Sequence, residues 1–337
     1  MSAPQRFRTS ISVALVAAVV TVSGLVTAGA ARADVIACGS TISASATLQQ
    51  DVVCPSGWTG DGLQVTGSGV TLDLNGHAVT GPGAAGIRVL GAGNTVTNTS
   101  TLPATVSGFA EGVVFDQATN GTVQGLTVTS NGRGIDVAGA GGNTVTGNVV
   151  SANTQDGIRA GASAGNTISG NTVSKNVFGI GLADGSSGNT VSGNTVSKNH
   201  IFGIAAFCGS DGNTISGNAV TKTAGGEGHG IVVRSGSDDT LVQGNGANQN
   251  AGDGIHVDTA GGCSNAGDDV APTGTRLVGN TANGNGGDGI DASAPSTIAS
   301  NTANNDAGWG ILAPTSCDGG RNVAKNDGAG STSFAAS

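Results

Sequence analysis

The sequence predicts an all-β chain wound as a single-stranded, right-handed parallel β-helix, a solenoid of about 11–12 coils with three short strands per coil. Three observations predict it. A Gly-aliphatic-x-x anchor recurs at Gly62, Gly86, Gly112, Gly134, Gly157, Gly179, Gly203, Gly230, Gly254, Gly289 and Gly310, spaced by 24, 26, 22, 23, 22, 24, 27, 24, 35 and 21 residues. A near-constant period of this length marks one structural unit stacked on itself. Between anchors the aliphatics alternate with a period of two, in segments too short for a helical turn. Gly and Asn punctuate every segment, which suits tight corners.

The elements follow in order along each unit. Aligned units read NTVTGNVVSANTQDGI from Asn143, NTISGNTVSKNVFGI from Asn166 and NTVSGNTVSKNHIFGI from Asn189. Each contains x-T-V/I-x, then N-x-V-x, then G-I-x-V, so one coil supplies three strands. Successive coils pair at ~4.8 Å, which makes the rod on the order of 50 Å long. Val145, Val149 and Ile135, with their equivalents, are the expected inward columns. Asn148, Asn171, Asn194, Asn218, Asn245, Asn280 and Asn301 recur after the first strand, where a side-chain amide can donate and accept between coils. These asparagines are read as structural.

Residues 1–33 read as a signal peptide: Arg6 and Arg8, an apolar run from Ile11 to Val26, and an Ala31-Arg32-Ala33 cleavage site. The β-helix is expected over 34–330, with a flexible tail at 331–337. A net charge of −9 argues against nucleic acid, whose phosphates need a basic surface, and against anionic membrane. The mature chain is expected to be a secreted, extracellular monomer. Five cysteines fit export. Cys38 and Cys54 are expected to pair. Of Cys208, Cys263 and Cys317 only two can pair; Cys263–Cys317 is preferred because Cys263 sits in a long loop, with Cys208–Cys263 as the alternative.

The NTVSGNTVSKN unit with its G-I-x-V anchor resembles the repeat of secreted right-handed β-helix proteins, the NosD-like group and the wider pectate-lyase-like superfamily, over roughly residues 38–330. The resemblance implies the fold. It leaves function open, since those families include lyases, hydrolases, epimerases and adhesins. For NosD-like proteins it also implies copper handling, yet soft metals want Met, Cys and His. Here the single Met is the initiator and no His pair has ligand spacing.

Outward positions of the third strand lie two and four residues after each anchor glycine, with the preceding residue at the strand border. They gather two polar clusters. Glu111, Asp116, Arg133, Asp136, Asp156 and Arg159 mix signs evenly and read as solvated ion pairs. His229, Arg234, Asp253, His256, Asp258, Asp288 and Asp291 form the denser group. Its candidate catalytic residues are His229, Asp253, His256, Asp288 and Asp291, with Arg234 and Asp258 for substrate binding. Column neighbours lie ~5 Å apart and strand neighbours ~7 Å, which brackets the carboxylate separations of glycosidases. Asp258, with Asp268 and Asp269 from the following insertion, is a candidate calcium site of carboxylate oxygens. No cofactor is otherwise required.

Gly228-His229-Gly230 resembles the GHG motif of polygalacturonase-type hydrolases, which would make His229 the match to their active-site histidine. Those enzymes carry an Asp-Asp pair before it and Arg-x-Lys after; here Asp238-Asp239 follows, and no Arg-x-Lys occurs downstream. A different pattern is the outward row Thr95, Thr122, Thr144, Thr167, Thr190 and Thr214, a hydroxyl array of the kind used in ice binding, which breaks at Leu241 and Arg276. The reading preferred from sequence is a non-catalytic extracellular or cell-surface protein that contacts polysaccharide. The alternative is a polysaccharide lyase, epimerase or glycoside hydrolase.

Overall fold

Short alternating segments flanked by Gly and Asn fold as strands because each buries one face and turns before a second helical bond could form. The computed structural model of the chain describes residues 35–139, 141–259, 263 and 268–334, so the expected signal peptide lies outside the described residues. The strands assemble into three parallel sheets of 13, 12 and 12 strands, and no α-helix occurs among the described residues. Each sheet takes every third strand, so the chain visits sheets 1, 2 and 3 in turn and climbs one rung per coil. This is the expected parallel β-helix, with the right-handed crossover that twisted strands favour.

Pairing is in register. In sheet 2, Val145 pairs with Ile168, Ile168 with Val191 and Val191 with Ile215, and all four are buried. In sheet 1, Ile135, Ile158, Ile180 and Ile204 make the equivalent inward column. The sheet 3 column differs from expectation. Val149 faces out and is 45% exposed, while Val150 is buried with Val173, Val196 and Val220. The corner at Asn148 shifts the pleat by one residue, and with a period of two one residue decides the face. Toward the C-terminus this column thins to Ala247, Ala282 and Ala303.

The anchor glycines answer a steric demand. A Cβ on Gly254 would come within 2.6 Å of the Gly289 carbonyl oxygen and 2.7 Å of the Asn285 Nδ2. The amide found there belongs to a ladder of stacked asparagines, and the rod holds more than one. Asn148 donates from Nδ2 to the Val123 carbonyl and to Asn171 Oδ1, and from its backbone amide to the same Oδ1, each at 3.0 Å. The pattern repeats through Asn171, Asn194, Asn218, Asn245 and Asn280. Further ladders run through Asn131, Asn153, Asn176 and Asn199, and through Asn143, Asn166, Asn189 and Asn213.

Two further expectations are corrected. The second disulfide is Cys208–Cys263, with a Cα–Cα distance of 5.4 Å, and not Cys263–Cys317. Cys317 lies on an exposed edge strand, Cys317–Asp318, paired to Thr297 of sheet 2, whereas Cys208 follows a sheet 1 strand on the side reached by the long insertion. Cys38–Cys54 forms as expected. The β-helix also runs past residue 330, because Gly330–Phe334 pairs with Trp309–Ala313, so the boundary of the expected 331–337 tail moves outward.

One ladder ends in acids. Asp306 follows Asn285, and Asp327 follows Asp306, and each Oδ2 occupies the place of an Asn Nδ2: 2.5 Å and 2.4 Å from where a Cβ on Gly289 and Gly310 would sit. Both Oδ2 atoms are buried without a hydrogen-bond partner, and burial with the nearby Asp327 charge pushes the Asp306 carboxyl up to about 6. An acid whose folded pKa exceeds its ordinary value supports the fold while protonated and loses that support as pH rises from about 4 through about 6. Asp306→Asn supplies the missing N–H donors. It is expected to raise Tm at pH 8 and to change it much less at pH 4, measured by thermal unfolding at both values.

Candidate functional site

The residue before each anchor glycine stacks on its equivalents along the outer edge of sheet 1. Phe178 pairs with Phe202 and Phe202 with His229; Asp253 and Asp288 occupy the same sequence position in the next coils. A second outward column pairs Ala205 with Val232, Val232 with His256 and His256 with Asp291; a third pairs Arg234 with Asp258. Register therefore brings together all seven residues of the second cluster.

At its centre the His229 and His256 rings stack, with centroids 4.3 Å apart and planes 4° from parallel. Their protonation differs. Asp253 Oδ2 lies 2.8 Å from His256 Nδ1, Asp291 Oδ2 3.3 Å from the same nitrogen, and Asp258 Oδ2 3.1 Å from Nε2. Burial alone would discharge this ring, but hydrogen bonds to the three carboxylates outweigh it and push its pKa up to about 11. His256 is an imidazolium at neutral pH. The pKa of His229 moves down, through burial and then the His256 charge. Its Nδ1 accepts the Asp253 amide at 2.9 Å, which puts the proton of the neutral ring on Nε2, toward Glu227.

Arg234 is claimed equally firmly. Glu227 accepts from Nη1 and Nη2 at 3.2 and 2.8 Å, and Asp258 from Nε and Nη2 at 3.0 and 3.3 Å. Its guanidinium carbon lies 4.9 Å from the Phe202 ring centroid. Asp253 also accepts the Asp288 amide at 2.6 Å. Asp288 accepts the Trp309 amide, and burial followed by the Asp253 and Asp291 charges raises its pKa. Both His256 nitrogens, His229 Nδ1 and most of the arginine's donors are thus spent among these residues.

The first cluster is less solvated than expected. Arg133 meets Glu111, Asp136 and Asp156, while Arg159 meets Asp136 and Asp184, and Asp136 and Asp156 are buried. Between the clusters lies an apolar patch that sequence reasoning missed. Phe202, Ala205 and Val232 are buried together on the outer face, with Phe178, Ile201 and Phe207 packed against them. Phe178, Phe202, Phe207, Arg234, Ser235 and the Cys208–Cys263 disulfide line a cavity of about 180 Å³. Phe178 and Phe202 occupy the very column whose charged members were noticed.

The acids of the insertion lie beside the sheet 1 loops. Asp268 lies beside Gly209 and shares its electrostatic surroundings with Asp211, and the Asp269 carboxylate accepts the Cys263 amide. The outward threonines form the expected row in sheet 2, extended by Thr71 and ending at Leu241 and Arg276.

The fold defines a parallel β-helix protein with a stacked ionisable face. Residues 42–250 and 184–270 match the family described as "Periplasmic copper-binding protein (NosD)", and the chain belongs to that family. No curated protein matches significantly. Among solved structures, a double mutant of the periplasmic alginate epimerase AlgG aligns with a TM-score of 0.56 at 16% identity, covering 82% of this chain and 70% of that one. Pectate lyase Pel9A aligns with a TM-score of 0.50 at 14% identity, covering 83% and 71%. At such identity the likeness shows the fold alone.

The residues do not fit the copper of the family's description. The three-donor group His229, Asp253 and His256 has its ligand atoms within 4.8 Å of one another. Yet His229 Nδ1 holds a backbone amide and both His256 nitrogens hold protons shared with carboxylates. A metal ligand nitrogen must offer a lone pair. Cys317, the free thiol, lies apart on sheet 2. The imidazolium already supplies the positive charge among these acids.

Because Asp253 contributes the shortest bond to His256, Asp253→Asn is expected to bring the His256 titration down toward neutral pH, followed by the imidazole Cε1–H resonance. Wild-type protein should show no His256 titration below pH 9. A variant ring still protonated at pH 9 would contradict the assignment.

Proposed function

We propose that the protein is an extracytoplasmic β-helix that binds polysaccharide along the outer face of sheet 1 without cleaving it. One observation carries this reading. An open, aromatic-lined cavity sits beside an ionisable cluster whose acid-base groups are already committed to one another. Apolar walls with a few convergent polar groups describe a ligand site. A general base, by contrast, needs a lone pair aimed at the ligand, and the His229 lone pair is given to the Asp253 amide. The two disulfides suit an oxidising compartment, and a signal peptide at 1–33 would deliver the chain there. AlgG is an alginate epimerase and Pel9A a pectate lyase, which associates this fold with alginate and pectate. Asp258, Asp268 and Asp269 as a calcium site are not needed for this role.

A second reading, a lyase, epimerase or hydrolase, is favoured by one residue. Asp288 is half-buried with a raised pKa and makes no ion pair among the described residues, as a general acid would require. The two readings separate by experiment. Under the binding reading, Phe178→Ala and Phe207→Ala each weaken glycan binding by roughly tenfold, the cost of about 1.4 kcal/mol of apolar contact. Both residues are only half-buried on the outer face, so Tm should move little. Wild-type protein should release neither unsaturated nor reducing ends. Product release that Asp288→Asn abolishes would transfer the assignment to the enzyme class.

A further inference from the structure

We infer that the glycan taken by this face is an uncharged polysaccharide, one without carboxylate or sulfate groups. The inference rests on the reading of the face as polysaccharide-binding, and it follows from where the cations are. Every arginine on the outer face of sheet 1 is held by at least two carboxylates. Arg88 meets Asp61 and Asp116; Arg133 meets Glu111, Asp136 and Asp156. Arg159 meets Asp136 and Asp184, and Arg234 meets Glu227 and Asp258. The imidazolium of His256 is held by Asp253, Asp291 and the same Asp258. A uronate carboxylate needs a cation with free donors facing it, and bidentate capture by arginine is the usual arrangement. Every one of these cations, among the described residues, is already charge-compensated by acids of the same face.

The surplus charge is negative. Beyond Arg234, which lines the cavity, the same face carries Glu227, Asp253, Asp258, Asp288 and Asp291 against only Arg234 and the His256 imidazolium. Like charges set against each other exclude the wrong partner more effectively than any attraction selects the right one. What the site offers instead suits a hydroxyl-bearing chain. Phe178 and Phe207 supply apolar walls. Four N–H···O bonds hold Arg234, which leaves one of its five N–H donors for a sugar oxygen. Gly181 and Ala205 keep the neighbouring floor low enough for a ring to approach.

Affinity electrophoresis tests this on the whole mature protein, in gels holding dextran, laminarin or hydroxyethylcellulose, and in gels holding polygalacturonate or alginate. The expected result is retardation by an uncharged polymer, unchanged when salt is raised to about 0.3 M, because screening acts on charge. Polyuronates should retard it at least about tenfold less. The double variant Glu227→Gln/Asp258→Asn frees Arg234 and should gain a salt-sensitive retardation by polygalacturonate. Wild-type protein retarded as strongly by a polyuronate as by any uncharged polymer would overturn the inference and leave the polysaccharide-binding reading standing. No retardation of either protein by any polymer would overturn both.

Discussion

The structure depends on side-chain amides stacked at buried corners. At the corner between sheets 2 and 3, each asparagine oxygen accepts from the backbone amide and Nδ2 of the coil before it, while its own Nδ2 reaches a backbone carbonyl of that same preceding coil. Corners are where the sheet ladders stop, so their backbone groups would otherwise be buried without partners, at a cost of about 1–3 kcal/mol each. The amide has a donor and an acceptor in one plane and fits this demand in both directions. A carboxylate has acceptors alone, which is why Asp306 and Asp327 leave orphaned oxygens in the last coils.

Locked corners fix the register, and the register makes the site. With every coil held in phase, the position before the anchor glycine becomes a continuous column. Its content then changes along the rod from mixed charges, through Phe178 and Phe202, to His229, Asp253 and Asp288. Stacking at one-strand spacing brings two imidazoles face to face and surrounds one with carboxylates. The result is a proton held on His256 and withheld from His229. This ion network is stabilising below the ordinary histidine pKa, and its contribution is lost as pH rises toward about 11. It leaves no lone pair of His256 for a metal ion or for proton abstraction.

How much was legible in the sequence follows from what is periodic. The anchor glycines, the aliphatic columns of sheets 1 and 2 and the Asn148 ladder repeat, and each is readable from spacing alone. The seven members of the ionisable cluster were found because they occupy repeated positions, although their protonation was not, since it depends on which nitrogen meets which oxygen. Non-periodic features were lost. The insertion after Asp258 has no repeat to align, so nothing in it indicated that Cys263 turns back to Cys208 and not onward to Cys317. The same fold-back walls the aromatic cavity. Phe178 and Phe202 carry a signal, since both precede an anchor glycine, but it lies in apolar area and not in charge. Val149 shows the sharpest limit, where one residue of phase at a corner exchanged inside for outside.

Asn194 sits mid-ladder, and its removal tests the claim most directly. Asn194→Ala would strip partners from the Asn171 amide, the Asn171 Nδ2 and the Ile168 carbonyl at once. The measurement is the equilibrium denaturant midpoint of the variant against wild-type protein. The account predicts destabilisation of about 3–5 kcal/mol, the sum expected for several buried groups left unpaired. A midpoint indistinguishable from wild type would show that the corners do not hold the coils in phase.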